Sequence, residues 1–234
     1  QPIFPTEQIE LQAHGSKVAY RDIFVKEIER PEPFQLSADE KKEGFRVLFD
    51  GTNLDEWTGN KKDYVVENGN IVLHPSQSFG GNLYTREQFG NFIIRFEFML
   101  TPGANNGLGI RTPQEGDAAY EGMELQILDN EAPVYKDLQV YQYHGSVYGV
   151  IPAKRGYLKP VGEWNYQEVV ANGDNIKVIL NGTTILDGNI RKASKNGTID
   201  GKNHPGLLNK TGHIGFLGHG SEVKFRNIRI KPLK

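Results

Sequence analysis

Residues 92–100 read FIIRFEFML, and Phe92, Ile94, Phe96, Phe98 and Leu100 fall on one face of an extended chain while Arg95 and Glu97 fall on the other. A period of two is the signature of a strand with one face in a core. Residues 123–128, MELQIL, repeat the device: Met123, Leu125 and Ile127 point inward, and Glu124 and Gln126 point towards solvent or a ligand. Asn68-Gly69 in VVENGNIVL and Asn181-Gly182 in IKVILNGTTIL separate pairs of apolar runs. Both residue types tolerate positive φ, so each pair predicts a hairpin closed by a type I′ turn. SADEKKEGF is the helical prospect ahead of the main body, with Ser37 as its cap. RKASKNGTIDGKNHPGLLNKTGH has neither period and reads as a long polar loop near the C-terminal strands. Short alternating runs between turn residues predict an all-β sandwich.

One segment is written twice. IELQAHGSKVAYRDIFVKEI, residues 9–28, aligns without a gap on IGFLGHGSEVKFRNIRIKPL, residues 214–233, matching Ile9, His14, Gly15, Ser16, Val18, Arg21, Ile23 and Lys26 to identical residues. In both copies the apolar phase slips by one position, from Val18 and Tyr20 to Ile23 and Val25, and from Val223 and Phe225 to Ile228 and Ile230. Such a slip is what a β-bulge produces. The expected organisation is an N-terminal arm over 1–33 resembling the final strand of a preceding or duplicated domain, a linker over 34–43 after the Pro-rich RPEPF, and a sandwich domain over 44–234. The arm then belongs to a tandem neighbour or mediates a homo-oligomer; a chance likeness to the final strand is the alternative.

Composition narrows the partners. The 234 residues carry a formal charge of −2 with Lys and Arg interspersed among Asp and Glu, so no basic stripe invites nucleic acid or anionic lipid. No apolar run approaches the roughly 18 residues that span a bilayer, so membrane insertion is not expected. The absence of cysteine excludes disulfides, thiolate metal sites and a cysteine nucleophile, and suits an oxidising compartment.

FRVLFDGTNLDEW, NLYTREQFGNFIIRFEFML, NNGLGIRTP, YEGMELQILDN, HGSVYGVIPA, GEWNYQEVVANGDNIKVILNG and GHIGFLGHGSEVKFRNIRIKPL, taken in order, resemble the bacterial 3-keto-disaccharide hydrolase family over about residues 44–233. The resemblance implies a concanavalin A-like jelly roll of two antiparallel sheets with its site on a concave face. It also implies a periplasmic or extracellular location and a substrate whose sugar ring already carries a ketone at C3. That ketone acidifies the C2 hydrogen, so cleavage by C2 proton abstraction and C1 elimination, with or without hydration, needs a base, a donor set for the enolate oxygen and an acid for the leaving group.

On that reading Glu124 is the first choice of base, with Gln126 beside it; its bland alternative is a solvated carboxylate on an exposed sheet face. Asp129 joins them only if a bulge intervenes. Arg111 in GLGIRTP is the candidate for enolate or hydroxyl stabilisation, because its planar fork can hold two sugar oxygens; otherwise it is an ion-pair partner for Glu97 or Glu124. Asn105, Asn106 and Gly107 would let a sugar approach the backbone closely and offer it hydrogen bonds. His219 in GHGS is a candidate acid or base, although His14 holds the same place in the arm, which also fits a turn that needs these residues. His144, with Tyr141, Tyr143 and Tyr148 around it, has a similar claim against ordinary packing, and Trp164 reads as structural. Glu97, Asn106, Gln126, Asp129, His144 and Tyr148 complete the expected substrate-binding set. No spaced metal motif occurs, and folding could still gather ligands for a divalent cation.

Two other functions compete. A lectin-like carbohydrate-binding module would use amides and aromatic platforms without a tuned carboxylate. A conventional glycosidase of laminarinase type would need two carboxyls about 5 Å apart, and here the strand offers Glu124-x-Gln126-x-x-Asp129 with an amide at the middle position.

Overall fold

The computed structural model describes residues 9–12, 14–26, 31–75 and 81–234. The chain divides into two compact units, Gln1–Arg30 and Pro31–Lys234.

The larger unit is an all-β sandwich of two antiparallel sheets. Its strands are β1 (Arg46–Phe49), β2 (Trp57–Gly59), β3 (Tyr64–Glu67), β4 (Asn70–Leu73), β5 (Leu83–Thr85), β6 (Phe92–Leu100), β7 (Asn105–Thr112), β8 (Met123–Leu128), β9 (Trp164–Asn172), β10 (Asn175–Leu180), β11 (Thr183–Asn189), β12 (His213–Gly218) and β13 (Val223–Pro232). The eight-stranded sheet runs β11-β10-β9-β6-β13-β4-β3, with β1 also on β13, and the five-stranded sheet runs β2-β5-β12-β7-β8. Phe92, Ile94, Phe96 and Phe98 of β6 bury completely, and Phe225 of β13 stacks on Phe216 of β12 with ring centroids 3.7 Å apart, tying one sheet to the other. Two large side chains drawn into this core have their polar atoms paired: Trp57 Nε1 donates to the Leu48 carbonyl, and the Tyr64 hydroxyl donates to the Phe216 carbonyl.

Both Asn-Gly turns form as expected, with Asn68 at φ 49° and Gly69 at 76°, and Asn181 at φ 50° and Gly182 at 85°. Ser37 caps a short helix, α1 (Ala38–Glu43), in a reciprocal capping box with Glu40. That helix is no linker. Phe34 N–H donates to the Asp50 carbonyl, and the buried Glu40 carboxylate accepts from Arg229 at 2.8 Å and Arg95 at 3.2 Å, so residues 34–43 pack as part of the sandwich unit. Among the described residues no helix is long and apolar enough to cross a membrane.

The bulge expected in the last strand is present. Pairing of β13 with β6 shifts between Arg226 and Arg229, and Asn227 sits there at φ 53° with its side-chain amide donating to Glu97 at 2.8 Å. Asparagine suits this position because it visits the left-handed region more readily than most residues. Asn227→Ala should lower the stability read from urea midpoints by about 2 kcal/mol, whereas Asn227→Gly, which relieves the backbone, should lose less.

The arm lies in the smaller unit. No strand forms among its described residues, and Val18, Tyr20, Ile23, Phe24 and Val25 are all exposed. An extended segment becomes a strand only when a ladder satisfies its backbone groups. Even so, Gly15 adopts φ 80° and Asp22 φ 53°, the values found at the matching Gly220 and Asn227. Ala13, Glu27 and Ile28 of the duplicated stretch lie outside the described residues.

Candidate active site

The site grows from one strand pair. In β7 the core side chains are Asn106, Leu108 and Ile110, so the other face presents Asn105, Gly107 and Gly109. Gly109 pairs with Glu124 and Gly107 with Gln126 across the ladder to β8. Two glycines therefore leave a trough beside the polar face of β8, and the Glu124 side chain lies in it: a Cβ placed on Gly107 would come 2.0 Å from Glu124 Oε1. The free edge of β8 is closed by the segment that follows, with the Gln126 N–H donating to the Ser146 carbonyl and the Tyr148 N–H to the Glu124 carbonyl. This pairing carries Tyr148 to the site.

The helical turn α2 (Ala118–Glu121), capped by Asp117, supplies Ala119 and Tyr120; the stretch 133–148 supplies Tyr135, Gln142 and Tyr148; the long polar loop supplies Lys202; the turn after β12 supplies His219. Together with Asn105, Glu124 and Gln126 they enclose a cavity of about 400 Å³. It lies on the face of the five-stranded sheet that looks away from the eight-stranded one.

Two acceptors in this cavity stand out. Glu124 Oε1 and Asn105 Oδ1 are buried and accept no hydrogen bond from the described residues. Glu124 is only 4% exposed, and the cation nearest its Oε1 is His219 Nε2 at 3.4 Å. The Glu124 contact raises the proton affinity of His219 above its ordinary value, burial opposes this, and the charges of Glu124 and Asp117 add to it. A histidine raised in this way stabilises the fold fully below its ordinary pKa of 6.5, and that contribution fades as pH rises through the folded value. The stability gap between the native chain and His219→Gln, followed by urea unfolding, should accordingly be larger at about pH 5 than at about pH 9. Burial also raises the Tyr148 hydroxyl, which accepts from Gln142 Nε2 at 3.1 Å.

Of the residues expected from the sequence, Glu124, Gln126, Tyr148 and His219 meet here, and five others do not. Arg111 is 1% exposed and spends its guanidinium on the carbonyls of Gly90 at 2.9 Å and Gly173 at 2.8 Å, pinning loops at the end of the sandwich. Glu97 lies on the outer face of the eight-stranded sheet, away from the cavity, and accepts from Arg226 and Asn227 across the bulge of β13. Asn106 faces the core, where its amide donates to the Tyr64 hydroxyl. Asp129 ends β8 by accepting from the Gly103 N–H at 2.9 Å, outside the cavity. His144 is a core residue: burial lowers its pKa to about 4, Nε2 meets Gln167 at 2.9 Å, and its ring stacks on Phe98. Asp117, Tyr120, Tyr135, Gln142 and Lys202 are site residues the sequence reading missed. Among the described residues no three His, Asp or Glu side chains gather around a point that could hold a metal ion.

Comparison with known proteins gives the family and the fold. The model of a 3-keto-alpha-glucoside-1,2-lyase-like domain matches residues 44–231. A 3-keto-disaccharide hydrolase of Bacteroides thetaiotaomicron is 30% identical over 239 aligned positions, covering 85% of this chain and 81% of that protein. Two solved structures of provisionally assigned glycosyl hydrolases from Parabacteroides distasonis superpose with TM-scores of 0.75 and 0.71, at 24% and 26% identity. They cover 87% and 81% of this chain, and 100% and 99% of their own.

Proposed function

The chain belongs to the 3-keto-alpha-glucoside-1,2-lyase-like family, and from that premise we propose that it cleaves 3-keto-glycosides, 3-keto-disaccharides among them, with Glu124 as the base. The observation that supports this reading is the pair of buried, undonated acceptors, Glu124 Oε1 and Asn105 Oδ1, in one cavity. Buried polar atoms are nearly always satisfied, and a polyhydroxylated ring brings the donors these two lack.

The chemistry follows from the ketone. Glu124 takes the proton from C2, the C–H electron pair flows into an enolate between C2 and C3, and the C3 oxygen becomes negative. Collapse of the enolate restores the ketone, forms a C1–C2 double bond and expels the glycosidic oxygen, which needs a proton. Addition of water, hydroxyl to C1 and hydrogen to C2, completes a hydrolysis; release before that step makes the same site a lyase. As Glu124 turns neutral on taking the proton, the positive charge it shared with His219 becomes available to the enolate oxygen.

The test is to incubate the protein in heavy water with a chromogenic 3-keto-glucoside and, separately, with the unoxidised glucoside. Release from the keto substrate alone, with deuterium at C2 of the hydrated product, is the expected result. Equal cleavage of the unoxidised glucoside would make the protein a conventional glycosidase instead, and saturable binding without release would make it a carbohydrate-binding module.

A further inference from the structure

Elimination requires a proton for the departing oxygen, and a second polar cluster lines the same cavity. Lys202 Nζ lies 2.9 Å from the Tyr120 hydroxyl. Lysine has donors only, so the phenolic oxygen accepts from it and the phenol's own proton stays free for another acceptor. The other cavity tyrosines lack this combination. Tyr135 donates its hydroxyl proton to the Gly103 carbonyl at 3.1 Å, and Tyr148 receives only the neutral amide of Gln142.

Tyr120 is held from behind. The His204 ring sits 4.7 Å from the Tyr120 ring, and His204 Nε2 meets Asp200 Oδ2 at 3.0 Å, with side chains only 1% and 2% exposed. Burial works against the Asp200 charge, but the Lys202 N–H, the Thr198 hydroxyl and His204 together hold its carboxyl below the ordinary value. The loop closes this tightly only because residue 149 is glycine: at φ 72°, a Cβ there would lie 2.4 Å from Asp200 Oδ2 and 2.8 Å from His204 Nε2. Lys202 and His204 thus meet one phenol, with Asp200 behind His204, from a loop with no regular structure around them.

We propose that Tyr120 is the acid that protonates the leaving glycosidic oxygen, that Lys202 stabilises the phenolate so formed, and that Asp200 and His204 are positioning residues for the Tyr120 ring. The inference rests on the elimination reading above. As the C1–O bond breaks, its electron pair stays on the glycosidic oxygen and the phenol O–H proton passes to that oxygen. The phenolate then takes a proton from the water that adds at C1, while Glu124 returns one to C2, so the site ends as it began.

The experiment compares native chain, Tyr120→Phe and His204→Ala on two 3-keto-glucosides, one releasing 4-nitrophenol, which departs without help, and one releasing a simple alcohol. Deuterium exchange at C2 is followed alongside. Tyr120→Phe should slow alcohol release by about 10² or more and nitrophenol release by no more than a few-fold, with C2 exchange retained. His204→Ala should give a weaker version of the same leaving-group signature, which loss of packing alone would not produce. An equal loss for both leaving groups, or no loss for the alcohol, overturns the assignment. A native chain that neither exchanges C2 nor releases either group refutes the elimination reading itself, so the two failures are told apart.

Discussion

Glu124→Gln will lower kcat/KM for a 3-keto-glycoside by about three to four orders of magnitude if, as proposed, it removes the group that takes the C2 proton. The replacement keeps the shape of the side chain, and Gly107 and Gly109 leave it the same trough. Thermal stability should therefore change little at about pH 9, where the charge of His219 contributes less. C2 exchange in heavy water should vanish with the activity, which separates loss of the base from loss of a later step. His219, deprived of the carboxylate that raises it, should titrate closer to its ordinary value when its ring protons are followed by NMR. A variant that keeps a tenth of the activity would place the base elsewhere.

The second large effect comes from a residue with no functional group. Gly107→Ala would put a methyl 2.0 Å from Glu124 Oε1, 2.7 Å from its Cδ and 2.8 Å from its Cγ. What must yield is the end of a side chain, and Gly107 is outside the left-handed region that only glycine tolerates well. The fold should survive while the carboxylate is pushed from its place. Displacing a reacting group by an ångström is worth about 10² in rate, so a loss near that size is expected, with an unfolding midpoint close to native. Denaturant titration beside kcat/KM decides the matter: a parallel fall in both would show that Gly107 serves packing and not the base.

How much of this was legible depended on the range over which each signal acts. Alternation in FIIRFEFML and MELQIL and the two Asn-Gly pairs act over a few residues, and all formed as read. Alternation says that Glu97 and Glu124 both leave the core, but a sandwich has two outer faces that look in opposite directions, and nothing local says which sheet a strand joins. Hence Glu97 was grouped with a site on the other side of the molecule. Arg111 and His144 misled for a different reason: both belong to residue types fit for catalysis, yet their donors and ring are consumed by carbonyls and core partners far away in sequence. The phase of β7 was readable from Leu108 and Ile110, which send Asn106 inward and Asn105 outward. Tyr120 and Lys202 carried no periodic signal, being 82 positions apart with one on a single helical turn and the other on an irregular loop.

The arm bears on how such a sheet assembles. With no ladder among its described residues, it still bends at Gly15 and Asp22 as the final strand bends at Gly220 and Asn227. The same two backbone angles thus recur where the same local sequence recurs. That matters for β13, which lies between β6 and β4 in the middle of its sheet yet comes last in the chain, so every pairing it makes closes a long loop. A strand that bends at one defined residue can lie flat against its neighbours in only one register, and the slowest search in folding this sheet begins with most of its wrong answers removed.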